Sequence, residues 1–242
     1  MPEEFQIKHV LFDLDGLLIN SEKIYTERLS EYLARHGKVF TYKAKCLMMG
    51  RKPIEAAEAL KKEYDLPMST EEVLEGYRKE LPLEIWHTVS LMPGARKLIE
   101  YLSKSSIGMA IATGSSSYQV PHKMWEFKDV WQKIHHVVAS GDDPEVKHGK
   151  PAPDVFEVAL SRFNDPSAKA ETTLVFEDAW NGVKAALAAG MYVVWVPDEN
   201  ECPGLPHDAP PFITDSNGAP RIIRLKSLEE FDPSIYGLPV PF

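Results

Sequence analysis

The stretch Val10-Leu11-Phe12-Asp13-Leu14-Asp15-Gly16 runs an apolar segment straight into two carboxylates and a glycine. A short apolar run of this kind marks a strand buried on both faces of a parallel sheet. Acids that close such a strand fall at its carboxyl edge, where open α/β sheets bind ligands. Two carboxylates held together there repel one another unless a cation or a shifted pKa relieves them. The pair suits metal-assisted chemistry better than it suits packing.

Further strand-like runs follow at 107–112, 134–139, 173–176 and 192–196, with a last one around 221–225. Between the later ones lie helix-like stretches at 93–103, 154–163 and 181–189. This alternation implies right-handed crossovers and a doubly wound parallel sheet, an α/β Rossmann-like core. Residues 18–86 break the alternation. Ser21 is placed to cap a helix burying Tyr25, Leu29 and Leu33; Ile54, Ala57, Leu60 and Tyr64 form a second stripe; Ser69 and Glu72 have capping-box spacing ahead of Val73, Leu74 and Tyr77. The expected organisation is a core of residues 1–17 and 87–242 with a helical insertion, 18–86, overhanging the edge that carries Asp13 and Asp15. The proline-rich stretch 203–220 reads as an irregular excursion.

The chain has 242 residues, 44% hydrophobic and 26% charged, which is ordinary for a globular protein. Its net charge of −9 argues against a nucleic-acid polymer or an anionic membrane as partner. A small phosphorylated metabolite remains compatible where positive charge is local. No apolar run is long enough to span a bilayer, and Met1-Pro2-Glu3-Glu4-Phe5 shows no secretory pattern. The expectation is a cytoplasmic protein, monomeric for want of any feature requiring more, with Cys46 and Cys202 as unpaired thiols.

Three more segments close strand-like runs with reactive or anion-binding residues: Thr113-Gly114-Ser115-Ser116, Gly149-Lys150-Pro151-Ala152-Pro153-Asp154, and Glu177-Asp178. Each alone has an ordinary reading as a turn, a helix cap or a solvated lysine. A parallel sheet brings all of them to the edge that holds Asp13 and Asp15. Two acid pairs, a hydroxyl-rich nest of N–H groups and one lysine then converge. Hard carboxylate and carbonyl oxygens suit Mg²⁺, and the lysine and nest suit a phosphate, so the set points to phosphoryl transfer.

As a set the four segments resemble, in order, the four motifs of the haloacid dehalogenase superfamily phosphatases with a helical C1 cap. That resemblance implies Asp13 as nucleophile, forming an aspartyl-phosphate, and Asp15 as acid and base whose carbonyl binds Mg²⁺. It implies Thr113, Gly114 and Lys150 as phosphate-holding positions. Asp178 would be a metal ligand, and Glu177 one directly or through water. Arg51 and Lys52 stand where the family's cap reaches toward substrate. Met48-Met49-Gly50-Arg51-Lys52, Gly141 to Val146, His148-Gly149-Lys150-Pro151 and Tyr236-Gly237-Leu238-Pro239 are similar to the pseudouridine-5′-phosphatase branch, which implies a Mg²⁺-dependent phosphatase acting on pseudouridine 5′-phosphate. Two alternatives stay open: a phosphatase of 2-deoxyglucose 6-phosphate or glycerol phosphate, and a phosphohexomutase like β-phosphoglucomutase. Asp15 counts against a dehalogenase, and the absence of a G-x-G-x-x-G turn after the first strand counts against dinucleotide binding.

Overall fold

The computed structural model describes residues 6–105, 107–198, 212–214 and 220–239. Its strands are β1 (His9–Phe12), β2 (Gly108–Thr113), β3 (His136–Ala139), β4 (Thr173–Glu177), β5 (Tyr192–Trp195), β6 (Phe212–Thr214) and β7 (Pro220–Arg224). They form one sheet in the order β3-β2-β1-β4-β5-β7-β6, with six parallel strands and an antiparallel β6 at the edge. The fold is a doubly wound α/β core, as the alternation of runs implies.

Strand β1 sits near the middle and is buried along its whole length. Successive side chains of a strand point to opposite faces. Val10 and Phe12 accordingly join Leu98, Ile99 and Leu102 of a helix at Ala95–Lys104 on one side of the sheet. Leu11 joins Val155, Phe156, Ala159, Val183 and Ala186 of the helices at Asp154–Ser161 and Trp180–Ala188 on the other. The register sets Phe12 beside both Ile111 and Phe176, so Asp13, Thr113 and Glu177 emerge together at the carboxyl edge.

The chain between β1 and β2 is helical: α1 (Glu22–Ala34), α2 (Tyr42–Met48), α3 (Pro53–Tyr64) and α4 (Thr70–Arg78), closed by a 3₁₀ turn at Leu83–Thr88. The Ser69–Glu72 capping box is made in both directions, Glu72 N–H to Ser69 Oγ at 3.1 Å and Ser69 N–H to the Glu72 carboxylate at 2.8 Å. The turn between α2 and α3 lies on the sheet edge. A Cβ on Gly114 would stand 2.9 Å from the Arg51 carbonyl oxygen, and the Gly149 N–H donates to Glu55 Oε1 at 3.1 Å. Lys45 of α2 pairs with Glu22 at 3.1 Å and with Asp198, beyond β5, at 3.2 Å.

Several expectations need correction. Ser21 precedes α1, but its hydroxyl makes no capping hydrogen bond. Ile54 lies on the outer face of α3 and is 40% exposed; Ala56 is buried in its place beside Ala57 and Leu60. The stretch expected to be irregular contains the edge strand β6, while 203–211 and 215–219 lie outside the described residues. Cys46 is disulfide-bonded rather than free, because residue usage says nothing about which segments the fold brings together; Cys202 lies outside the described residues. No helix among the described residues is long and apolar enough to cross a membrane.

Candidate active site

Asp13 follows the last residue of β1 and is 5% exposed. Its Oδ1 accepts from Lys150 Nζ at 2.5 Å, and the same ammonium lies 2.6 Å from Glu177 Oε1 and donates to the Ala112 carbonyl at 3.0 Å. Lys150 is fully buried and reaches the sheet edge from the loop before the Asp154–Ser161 helix. Asp154 pins that loop, accepting from the Lys147 and His148 N–H groups at 3.0 and 2.9 Å. Burial disfavours the lysine's charge, but Asp13 and Glu177 more than offset that and raise its pKa. Burial pushes the Asp13 carboxyl up to about 7; Lys150 opposes the rise, and Glu177 and Asp15 add to it. One ammonium is shared among more carboxylates than it can neutralise.

Asp15 is held differently. Its Oδ1 accepts from Lys123 Nζ at 2.5 Å, and its Oδ2 accepts from Ser115 Oγ at 2.8 Å and Thr113 Oγ1 at 3.4 Å. Thr113 Oγ1 in turn accepts from the Ser115 N–H at 3.1 Å. Burial opposes the Asp15 charge, yet the Lys123 contact prevails and holds its pKa below the usual value. Lys123 was not among the residues the sequence singled out. It sits on a four-residue helix, Val120–Lys123, where no apolar period betrays its burial.

Asp178 is 6% exposed, and no hydrogen bond or ion pair to its carboxylate is found among the described residues. Burial raises its pKa well above the usual value, and Asp13 and Glu177 raise it further. Gly16, at φ 86°, lets the backbone pass against it: a Cβ at Gly16 would overlap Asp178 Oδ2. Glu177 turns away from this point. Its Oε1 faces Lys150 and its Oε2 accepts from the Ala179 N–H at 3.0 Å. Of the acids expected at a metal, Asp13, Asp15 and Asp178 line one cavity, and Glu177 faces Lys150. Among the described residues no three His, Cys, Asp or Glu side chains converge on one position.

A cavity opens above Asp13, Asp15 and Asp178, with Gly114 and Ser115 at its floor. Its outer wall is supplied by the helical segment: Tyr25, Leu29, Phe40, Met48, Tyr77 and Leu81. Tyr25, expected on the buried stripe of its helix, faces the cavity, while Trp86 is buried core and Trp125 is a half-exposed surface residue stacked on His87. Arg51 and Arg78 also line the cavity, and Arg51 Nε is buried without a hydrogen-bond partner among the described residues. Lys52 does not line it; its Nζ donates to the Val146 carbonyl at 2.5 Å.

The family model of the haloacid dehalogenase-like hydrolases matches residues 10–196, and the chain belongs to that family. It is 44% identical over 238 residues to (DL)-glycerol-3-phosphatase 2 of Arabidopsis thaliana, covering 98% of this chain and 93% of that protein. It is 36% identical to a probable pseudouridine-5′-phosphatase of Drosophila melanogaster, covering 97% of this chain and 95% of that one. Among solved structures, CbbY from Rhodobacter sphaeroides in complex with phosphate shares the fold, with a TM-score of 0.70 at 20% identity over 96% of this chain and 100% of that one. The chain is a phosphoric monoester hydrolase of this family acting on small phosphorylated substrates.

Proposed function

We propose that this protein is a Mg²⁺-dependent phosphatase that hydrolyses a small phosphomonoester through an aspartyl-phosphate on Asp13, with pseudouridine 5′-phosphate as the preferred substrate. The observation that carries the mechanism is the buried Lys150–Asp13 contact at the base of the cavity, with the separately held Asp15 lining the same cavity. Asp13 Oδ attacks phosphorus while the bond to the leaving oxygen breaks, and that oxygen takes its electron pair and a proton from Asp15, which takes that proton up from solvent once the anionic phosphate beside it offsets the Lys123 charge. Water then attacks the phosphoryl group, gives its proton to Asp15, and the bond to Asp13 breaks to restore the carboxylate. Lys150 holds Asp13 in place, and Gly114 and the Thr113–Ser115 turn receive the phosphoryl oxygens. Arg51, without a carboxylate partner among the described residues, contacts the leaving group from the helical segment, which acts as the cap (residues 18–86).

The donor set fits Mg²⁺. The Asp13 and Asp178 carboxylates and the Asp15 carbonyl are hard oxygens, and Mg²⁺ is commonly held by one or two carboxylates plus waters, so no cluster of three acidic side chains is needed. The buried Asp178 carboxylate, without a partner among the described residues, is the observation that calls for a cation. When bound, Mg²⁺ supplies charge neutralisation to the phosphoryl oxygens. Glu177 acts on Lys150 instead.

The apolar wall of Leu29, Phe40, Met48 and Leu81 favours a ring-bearing leaving group, because a glycerol moiety leaves that surface uncovered. The competing reading, a glycerol phosphate phosphatase, is favoured by the 44% identity to the Arabidopsis protein. A phosphate-release screen with Mg²⁺ across pseudouridine 5′-phosphate, glycerol 3-phosphate and 2-deoxyglucose 6-phosphate decides. Highest kcat/KM on the first supports the reading; highest on glycerol 3-phosphate replaces it, and interconversion of hexose phosphates without phosphate release would show a mutase. A monomer in the cytoplasm satisfies everything the mechanism requires.

A further inference from the structure

Lys123 is a buried cation that this scheme leaves without a task. The residue is 1% exposed. Its ammonium contacts Asp15 Oδ1 at 2.5 Å, Ser115 Oγ at 2.8 Å and the Tyr25 hydroxyl at 2.8 Å, one partner for each of its donors. The same nitrogen lies 4.4 Å from the centroid of the Trp86 ring and 4.9 Å from that of Tyr25, within cation–π range. A lysine buried this completely loses its hydration, so its partners must compensate fully. They come from both sides of the cavity. Asp15 and Ser115 belong to the sheet edge, whereas Tyr25 belongs to α1 and Trp86 to the 3₁₀ turn at Leu83–Thr88.

We propose that Lys123 is a positioning residue for Asp15, and that it ties the placement of that carboxylate to the seating of the helical segment through Tyr25. The ammonium anchors Oδ1 and the Ser115 and Thr113 hydroxyls anchor Oδ2, which removes the torsional freedom of Asp15 while Oδ1 keeps a further lone pair for the reaction. A misplacement of about 1 Å in a reacting group costs on the order of 100-fold in rate, so this restraint matters to turnover. When Tyr25 moves away, the ammonium loses a hydroxyl acceptor and a ring face. The Asp15 clamp is therefore complete only with α1 in its observed place. This inference rests on the acid and base reading of Asp15.

The test uses p-nitrophenyl phosphate and rapid mixing with the full chain. The p-nitrophenolate leaves without needing a proton, so formation of the phosphoenzyme draws little on Asp15, whereas attack by water draws on it fully. Asp15→Asn should release about one p-nitrophenol per site in a burst and then turn over about 100- to 10,000-fold slower than the parent. Lys123→Met should show the same pattern, the burst kept and steady turnover reduced about 10- to 100-fold with KM little changed. Tyr25→Phe, which keeps the ring and loses only the hydroxyl, should show a smaller loss of the same shape; it decides the matter should Lys123→Met not fold. Burst and turnover slowed in equal proportion, or parental turnover in both variants, would overturn the proposal while the Asp15→Asn burst still stood. Parental turnover in Asp15→Asn would instead bring down the acid and base reading itself.

Discussion

Lys150 Nζ stands 2.5 Å from Asp13 Oδ1, the lysine side chain fully buried and the aspartate side chain 7% exposed. Water reaches this contact hardly at all, so the charge on each partner depends on the other. The candidate nucleophile is thereby oriented before substrate arrives. The arrangement also joins stability to activity at a single pair.

Replacing the cation makes that dependence measurable. Lys150→Met leaves Asp13 and Glu177 as buried carboxylates without their partner, and breaking a buried pair in this way costs about 3–5 kcal/mol. Urea unfolding should show that loss, with phosphate release abolished. Adding Glu177→Gln to Lys150→Met removes one of the stranded charges and should return part of the stability but none of the activity. Full stability in Lys150→Met alone would mean that the contact contributes nothing to the fold.

The pH dependence has a definite sign. Burial, with help from Glu177 and Asp15, pushes the Asp13 carboxyl up to about 7, and burial with Asp13 and Glu177 raises Asp178 well above its usual value. A carboxyl whose pKa is higher folded than unfolded binds more protons in the folded state. In metal-free protein these two groups therefore favour folding most below about pH 4; Asp13 loses that contribution as pH climbs through about 7, and Asp178 as pH climbs through its own raised pKa. A bound dication favours the ionised carboxylates and relieves the loss. The gain in Tm on adding Mg²⁺ should accordingly be larger at pH 8 than at pH 5, and Asp178→Asn should remove most of it. A gain that is the same at both pH values, or that survives Asp178→Asn, would take Asp178 out of the ligand set.

Gly182 tests the role given to Glu177. A Cβ at this position would overlap the Glu177 carboxylate, because the Trp180–Ala188 helix packs its backbone directly against it. Helix propensity alone favours Gly182→Ala by about 1 kcal/mol. The contact argument gives the opposite result: Glu177 is displaced, Lys150 loses a partner, and kcat should fall by at least about 10-fold. A more stable, fully active Gly182→Ala would show that Glu177 has room to move and that Lys150 does not need it there.

The sheet edge was legible in the sequence because a parallel sheet sends the loop after every strand to one side. Asp13, Asp15, Lys150 and Asp178 could be brought together from the order of the apolar runs alone. What the order cannot show is how each carboxylate turns. Glu177 reads as a metal ligand beside Asp178, yet its direction is set by Lys150 beneath it and by the bare backbone of Gly182. Lys123 carried no signal, since Val120-Pro121-His122-Lys123 is too short for a period and its burial depends on Tyr25 and Trp86, distant in the chain. Lys52 looked equivalent to Arg51 as a neighbour, but the extended backbone at Lys52 (φ −62°, ψ 150°) starts α3, and its side chain runs to Val146. The edge strand Phe212–Thr214 was hidden because three residues inside a proline-rich stretch resemble a turn more than a ladder.

The central claim is that Asp13 carries the phosphoryl group during turnover. The direct measurement is an acid quench of the enzyme during steady turnover with Mg²⁺ and substrate, followed by mass spectrometry of its peptides. A phosphoryl group on Asp13, removed by hydroxylamine and absent from Asp13→Asn together with all phosphate release, is the expected result. Turnover without a trapped phosphoenzyme in the slow Asp15→Asn variant, a phosphoryl group on any other residue, or phosphate release retained by Asp13→Asn would contradict it.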